Sequence, residues 1–247
     1  MNKLTVISAL QPLGTKQRAE TNSRFFKTGK GEYGEGDIFW GITVPQIRQV
    51  AKQYCDLPLS EIISLLQHKV HEVRLCAIYL LVMNFPKDPK RVYDAYLANT
   101  NYINNWDLVD SSAAYIVGPY LENKSKGVLT KLAQSKSVWE RRISILSTFY
   151  YIKQGEPQET LRIAEILTKD HHDLIQKAVG WMLREVGKRC SLEIEEKFLD
   201  IHAAHMPRTA LTYAIEKFPA NKKAYYRNLA LIRQFEPPTN KEAKLLK

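Results

Sequence analysis

The stretch that decides the fold is HEVRLCAIYLLVMNF, residues 71–85. Its apolar side chains recur at intervals of three and four residues, at Val73, Ala77, Leu80, Leu81 and Phe85. This spacing is typical of an α-helix that buries one face in a core. Alternation of apolar and polar residues, the pattern of a half-buried strand, is almost absent from the chain. The sequence therefore predicts an all-α protein.

The same helical period returns along the chain. It is found in KSVWERRISILSTFYYI (136–152), DLIQKAVGWMLREVGK (173–188) and MPRTALTYAIEKF (206–218). Shorter helices are predicted between these segments, at residues 60–66, 89–98, 127–132, 157–167 and 192–202. The N-terminal MNKLTVISALQPLG is predicted to be the first helix, because Gln11 and Pro12 end its apolar run too early for a signal peptide.

The long helices also share a column of polar residues. Arg74, Asp110, Arg142, Lys177 and Thr209 follow one another at steps of 36, 32, 35 and 32 residues. A period near 34 with two helices per unit indicates an α-solenoid of HEAT-like repeats. We expect one helical-repeat domain over residues 1–247, with a polar tail from about residue 235. The column would line a concave basic cleft, although helix surfaces commonly carry Lys and Arg for solvation alone.

The overall charge favours a polyanionic partner. The chain has 247 residues, 36 of them basic and 26 acidic, which gives a formal charge of +10. A basic protein without any charged partner is the alternative. Three scattered cysteines indicate reduced thiols and a cytoplasmic protein. No apolar run approaches the ~18 residues of a membrane span, so no membrane association is expected.

A glycine-rich stretch, GKGEYGEGD (29–37), contains the spacing of a dinucleotide-binding fingerprint. Such a site needs a strand before the glycines and a helix directly after them. Here the preceding AETNSRFFKTGK is predicted to end a helix, with Gly29 as its stop, and the next helix is predicted to begin near Pro45. Two glutamates also stand where phosphates would bind. We therefore expect an irregular loop and no nucleotide cofactor.

No metal site is expected. His68 and His71, like His202 and His205, are spaced three apart, but neither pair has a recognisable set of further ligands. Exposed histidines on helices are the more common case.

Four ordered motifs resemble the DNA alkylation repair family of AlkD-like 3-methyladenine and 7-alkylguanine DNA glycosylases. They are FFKTGKGEYGEGDIFWGITVPQIRQVAK (25–52), NNWDLVD (104–110), VWERRISIL (138–146) and LIQKAVGWMLREVGK (174–188). The resemblance implies a helical superhelix that holds double-stranded DNA in a basic cleft and releases N3- and N7-alkylated purines. It implies no cofactor. We expect a monomer, since a solenoid with polar ends offers no evident partner surface.

The resemblance also implies site residues. Its central Trp-x-x-x-Asp motif falls on Trp106 and Asp110, its cleft arginine on Arg142, and its second cleft tryptophan on Trp181. Weaker candidates for DNA-backbone contacts are Arg141, Lys177, Arg74 and Arg48, and Phe25 is also expected to contact DNA. The chain departs from the family pattern in three places: Phe25 stands where tyrosine is frequent, and Asp173 and Leu174 stand where aromatic residues can occur.

These residues suit the chemistry that the family implies. A purine alkylated at N3 or N7 is cationic and leaves readily, while positive charge develops on the sugar. Asp110 could stabilise that charge or orient the attacking water. The two indoles could stack on a cationic nucleotide, and Arg142 could hold a phosphate. Two alternatives are a relative that binds duplex or branched DNA without turnover and a helical scaffold for another protein.

Overall fold

The protein is all-helical, as the periodicity predicts. The computed structural model describes residues 1–232, and within them the only β-type contact is an isolated bridge between Ile38 and Val70. None of the helices in this part of the chain is long and apolar enough to cross a bilayer. The predicted tail from about residue 235 lies outside the described residues.

The structure divides into two compact units, residues 1–150 and residues from 151 onward. The first unit contains α1 (Lys3–Leu10), α2 (Lys16–Phe25), α3 (Val44–Gln53), α4 (Leu59–Leu66), α5 (His71–Asn84), α6 (Pro89–Ala98), α7 (Trp106–Asp110), α8 (Ala113–Tyr120), α9 (Gly127–Ala133) and α10 (Val138–Ser147). The boundary falls within α11 (Phe149–Lys153). The second unit continues with α12 (Gln158–Leu167), α13 (Asp173–Arg189), α14 (Leu192–His202), α15 (Arg208–Ala214) and α16 (Ala220–Ile232). The single domain expected from the sequence stays a prediction.

Helix α5 is central to the first unit. All residues from His71 to Leu81 are buried, so the helix is covered on every side. It packs against α3, α4, α6, α7 and α8. A helix enclosed in this way holds its neighbours in fixed positions, and α7 is one of them.

Helix α13 has the same role in the second unit. It packs against α12, α14 and α15. The stripe predicted from its sequence, Ile175, Ala178, Met182 and Val186, is fully buried. The fold of each unit is therefore a set of helix pairs around a long inner helix.

The glycine-rich stretch is an irregular loop, as predicted. Its neighbours are the helices α2 and α3, and α3 begins only at Val44. The Glu32 carboxylate accepts a hydrogen bond from the Gly29 N–H at 2.9 Å, and the Glu35 carboxylate accepts one from the Gly31 N–H at 2.8 Å. Side chains of the loop thus occupy backbone donors that a phosphate would need.

The end of α2 corrects one detail of that prediction. The helix stops at Phe25, and Lys27 adopts the left-handed conformation with φ of 56°. The Thr28 N–H then bonds to the Ser23 carbonyl at 3.1 Å, which closes a Schellman-type cap. Lys27, not Gly29, therefore terminates the helix. The capping bonds offset the strain of a left-handed residue with a side chain.

Candidate active site

The candidate acid, Asp110, is the last residue of the short helix α7. The Asn105 side chain caps that helix by accepting a hydrogen bond from the Trp106 N–H at 2.8 Å. Trp106 and Asp110 are four residues apart, so both lie on one side of the helix. The local fold thus brings the two predicted catalytic residues of this motif together.

Asp110 forms a two-point ion pair with Arg142 of α10. The arginine Nε and Nη2 atoms donate to Oδ1 and Oδ2 of the aspartate, each at 2.8 Å. The aspartate side chain is 19% exposed and the arginine side chain 7%. Burial raises the pKa of Asp110 above its usual value, while the hydrogen bond and charge of Arg142 act in the opposite direction. The pair fixes the orientation of a carboxylate that remains open to solvent on one side.

A cavity of about 260 Å³ opens beside Asp110 in the first unit. It is lined by Asp110 and Ser111, by the cations Arg48 and Lys52, and by Tyr79, Val82, Met83 and Tyr115. The Arg48 guanidinium lies 4.9 Å from the centre of the Tyr79 ring. An acid, two cations and two aromatic rings therefore surround one opening, which is the chemistry needed to hold a phosphate or sugar near a carboxylate.

Arg48 was predicted from the sequence, but Lys52 and the two tyrosines were not. Lys52 follows Arg48 by four residues on α3, so helical spacing from Arg48 could have indicated it. Tyr79 and Tyr115 lie on α5 and α8, and only the packing of those helices brings them to the cavity.

Two aromatic residues that precede the glycine loop, Phe25 and Phe26, pack against Trp106. The Trp106 ring stacks on Phe26 with centroids 5.3 Å apart, and Phe25 meets its edge at 5.9 Å. Trp106 is half-buried, whereas Phe25 is 62% exposed. Phe25, predicted as a DNA contact, is thus an accessible ring beside the candidate tryptophan.

The structure corrects the prediction that Arg74 lies on a nucleic-acid surface. Arg74 is buried, and its Nη2 donates to the Asp37 carboxylate at 2.6 Å. Its Nη1 donates to the carbonyls of His68 and Lys69. A guanidinium held by three internal acceptors stabilises the protein itself.

The two arginines of α10 also make contacts within the protein. Arg142 is directed at Asp110, so it orients the acid and does not present its guanidinium to a phosphate. Arg141 donates from Nη1 to the carbonyls of Ser135 and Lys136, each at 3.0 Å. Both side chains therefore make contacts within the protein that the sequence did not indicate.

The remaining predicted residues lie on α13 in the second unit. Lys177 forms an ion pair with Asp173 at 2.6 Å, and both side chains are substantially exposed. Trp181 is half-buried on the same helix, as is Leu174. One of the departures from the family pattern, Asp173, is thus the partner of a predicted DNA-binding lysine.

The histidines and cysteines do not form a recognisable centre. Within residues 1–232 no group of three His, Cys, Asp or Glu side chains is placed to hold a metal ion. The three cysteines are free thiols. The expectation that helix histidines are exposed is wrong for His71, which is 1% exposed because it lies between carboxylates in the core.

Comparisons with known proteins agree with the resemblance seen in the motifs. The family model described as DNA alkylation repair enzyme matches residues 6–218. A solved protein described as a predicted DNA alkylation repair enzyme from Enterococcus faecalis superposes with a TM-score of 0.68 at 19% identity, over 85% of this chain and 99% of that one. AlkD2 from Streptococcus mutans gives 0.52 at 18% identity, over 88% of this chain and 99% of that one. No curated protein sequence matches significantly. The structural likenesses confirm the all-α, helical-repeat fold class.

Proposed function

The chain belongs to the family of DNA alkylation repair enzymes, and from this premise we propose that it is a DNA glycosylase. Its substrate would be double-stranded DNA that carries a cationic purine alkylated at N3 or N7. The reaction would be hydrolysis of the N-glycosidic bond of that nucleotide, without a cofactor.

One observation carries the proposal: Asp110 is fixed by Arg142 at the edge of a cavity lined by Arg48 and Lys52. Two exposed cations attract the DNA backbone, and the carboxylate lies close to where they would hold it. A carboxylate held in a fixed orientation before the reaction is the arrangement that stabilises a positive charge developing beside it.

The chemistry follows from the charges. The C1′–N bond breaks, and its electron pair leaves with the base, which becomes neutral. Positive charge develops on the sugar, where the Asp110 carboxylate stabilises it. Water then adds to C1′, and the proton that it loses is accepted by Asp110 and released to solvent. Since the leaving base is already cationic, no acid is needed to protonate it.

The first unit supplies supporting roles for its other residues. Arg142 orients the carboxylate, while Arg48 and Lys52 contact phosphates. The exposed ring of Phe25, next to the half-buried Trp106, offers a π-face for a cationic nucleotide. Binding to a cation through rings and a carboxylate would select charged lesions without reading base edges. The DNA contacts expected from Arg141, Lys177 and Trp181 stay predictions.

Release of 7-methylguanine from methylated duplex DNA tests the proposal. Asp110→Asn removes the charge and keeps the size of the side chain, so we expect a loss of kcat of about 100-fold, with little change in DNA affinity. Asp94→Asn is the matched control, because it removes one carboxylate charge from an exposed surface pair with Lys90.

The outcomes are distinct. A wild-type protein that binds DNA and releases no base would favour the non-catalytic alternative. If release is normal in the Asp110→Asn variant, another group stabilises the sugar. A folded variant, checked by thermal unfolding, is required for either conclusion.

A further inference from the structure

A cluster of charged side chains in the core of the first unit contacts α7, the helix that carries Asp110. It consists of Asp37 at the end of the glycine loop, His71 and Arg74 on α5, and Asp107 on α7, and we call it the Asp37 cluster. Nδ1 of His71 is 3.1 Å from an oxygen of Asp37, and Nε2 is 2.8 Å from an oxygen of Asp107. The His71 side chain is 2% exposed. One imidazole thus connects two carboxylates.

Both ring nitrogens of His71 must donate in this arrangement. Each faces a carboxylate, and an ionised carboxylate only accepts hydrogen bonds, so the ring is an imidazolium. Burial would lower the pKa of His71, but the charge and hydrogen bond of Asp107 and the hydrogen bond of Asp37 raise it to about 9. With Arg74 bound to Asp37 at 2.6 Å, the cluster contains two positive and two negative groups. Its charges therefore balance within the core.

Asp37 has further partners that fix the end of the loop. The side-chain amides of Asn104 and Asn105 approach its oxygens at 3.3 and 3.4 Å, and Asn105 also caps α7. Burial raises the pKa of Asp37, yet the hydrogen bond from His71 and the charge of Arg74 lower it overall. The loop and the start of α7 are thus joined through one carboxylate.

A second route links His71 to α7 through aromatic rings. The His71 ring lies 4.6 Å from that of Phe39 and 5.0 Å from that of Phe26. Phe26 in turn stacks on Trp106. His71 therefore restrains the first two residues of α7. It contacts Asp107 by a hydrogen bond and Trp106 through the ring of Phe26.

We propose that His71 is a positioning residue for Asp110, which acts by holding α7 through Asp107 and through the Phe26–Trp106 stack. This inference rests on the proposed glycosylase function. Helix α7 has only five residues, and a helix this short is not stable by itself. The orientation of α7 consequently depends on the side chains that contact its first turn, which are His71 and Phe26.

Two variants test the proposal. His71→Phe keeps an aromatic ring next to Phe26 and Phe39 but removes both hydrogen bonds. Asp107→Asn removes the charge that faces His71 and keeps the shape. For each we expect kcat for 7-methylguanine release to fall about 10- to 100-fold while KM and DNA affinity stay within about twofold, because misplacement of the acid affects the chemical step. His202→Phe is the matched control, since it changes a half-buried histidine that packs against a phenylalanine, Phe198, in the second unit.

A readout without catalysis separates this inference from the proposed function. The ¹⁵N–¹H resonance of the Trp106 indole, assigned through Trp106→Phe, should shift in both variants, and amide exchange in residues 106–110 should accelerate. His202→Phe should change neither. If the wild type releases no base, the proposed function fails while these signals still test positioning.

The proposal is overturned if both variants keep wild-type kcat and an unshifted Trp106 resonance. It is also overturned if kcat falls only in proportion to a loss of folded protein. Should His71→Phe fail to fold, Asp107→Asn decides by the same measurements.

Discussion

Asp110 and Glu195 are both largely buried carboxyl groups with very different surroundings. Asp110 has a two-point partner in Arg142 and borders a cavity. Glu195 on α14 is 2% exposed, and its Oε1 accepts no hydrogen bond from the described residues. Burial, with the nearby charge of Glu196, raises the pKa of Glu195 to about 8. Both carboxyl groups border cavities, but only Asp110 is oriented by a two-point ion pair, whereas Glu195 is held as a protonated acid.

Glu195→Gln should stabilise the protein at alkaline pH. The folded state keeps the Glu195 proton up to about pH 8, whereas an unfolded glutamate loses it near 4.5. The folded state therefore binds more protons in this window, so the free energy of unfolding falls as the pH rises. A neutral glutamine removes that loss, and the gain should reach the order of a few kcal/mol above pH 8.

Urea unfolding at pH 5 and pH 8.5 measures this effect. Glu193→Gln is the control, because that side chain is exposed and paired with Lys197. His71 also makes the stability depend on pH, because its pKa is about 9 in the folded protein and near 6.5 in the unfolded chain. This contribution is the same in the wild type and in both variants. Equal pH dependence in wild type and Glu195→Gln would show that Glu195 ionises normally.

At the scale of the elements, one position repeats across the inner helices. The fourth residues of α5, α10 and α13 are Arg74, Arg141 and Gln176, and each side chain donates to the carbonyl six residues before it, at 3.0 Å. These carbonyls follow the end of the preceding helix in each pair. The bonds satisfy carbonyl groups of the connection between the two helices and tie that connection to the inner helix of each pair.

The same numbering within the helices shows where Arg74 departs from the sequence column. Asp110, Arg142 and Lys177 are fifth residues of their helices, but Arg74 is a fourth residue. Arg74 is buried because α5 is enclosed on every side over residues 71–81, so its fifth residue, Leu75, is buried as well. Periodicity near 34 residues predicts helix pairs well but does not define the register to a single residue.

The helices themselves were largely predictable. The segments 89–98 and 192–202 match α6 and α14, and three others differ by one residue at an end. Local propensity and periodicity determine such elements. The Asp37 cluster was not predictable, since its contacts join residues more than 30 positions apart that share no pattern.

Gly118→Ala tests the close approach of elements in the first unit. A Cβ at this position would lie 2.5 Å from the Ser147 carbonyl oxygen and 2.5 Å from Cβ of Tyr150. Alanine is normally favoured in a helix, but here the overlap should destabilise the unit by about 1–3 kcal/mol. Gly127→Ala is the control, because its Cβ would meet nothing closer than 3.6 Å. Urea unfolding of the two variants should give opposite signs relative to wild type, and a stabilised Gly118→Ala variant would contradict the packing described.

At the scale of the whole molecule, the charge of +10 favours polyanions in general, and two of the cations, Arg48 and Lys52, lie at the cavity beside Asp110. The sequence indicated the surplus and Arg48 as a weaker candidate for a DNA contact, and the resemblance indicated Asp110 and Trp106. Neither could identify Lys52 as a neighbour of the acid, because that depends on how α3 and α7 are placed around α5.

Lys52→Ala should reduce the salt dependence of DNA binding. Each phosphate contact contributes about −0.9 to the slope of log K against log salt, so loss of one contact should make the slope shallower by about one. Lys90→Ala is the control, since this exposed lysine is paired with Asp94 away from the cavity residues. Fluorescence anisotropy over a salt series gives both slopes. Identical slopes for the two variants would mean that the cavity does not contact phosphate.

The glutamates of the glycine loop have a consequence for encounter with a ligand. The carboxylates of Glu32 and Glu35 already accept hydrogen bonds from the N–H groups of Gly29 and Gly31. These backbone donors therefore need no bound anion as a partner. The conformational entropy of the segment is lost when the chain folds, not when a duplex arrives. Association can then proceed against a ready-made surface, without a slow step in which this segment must first find its shape.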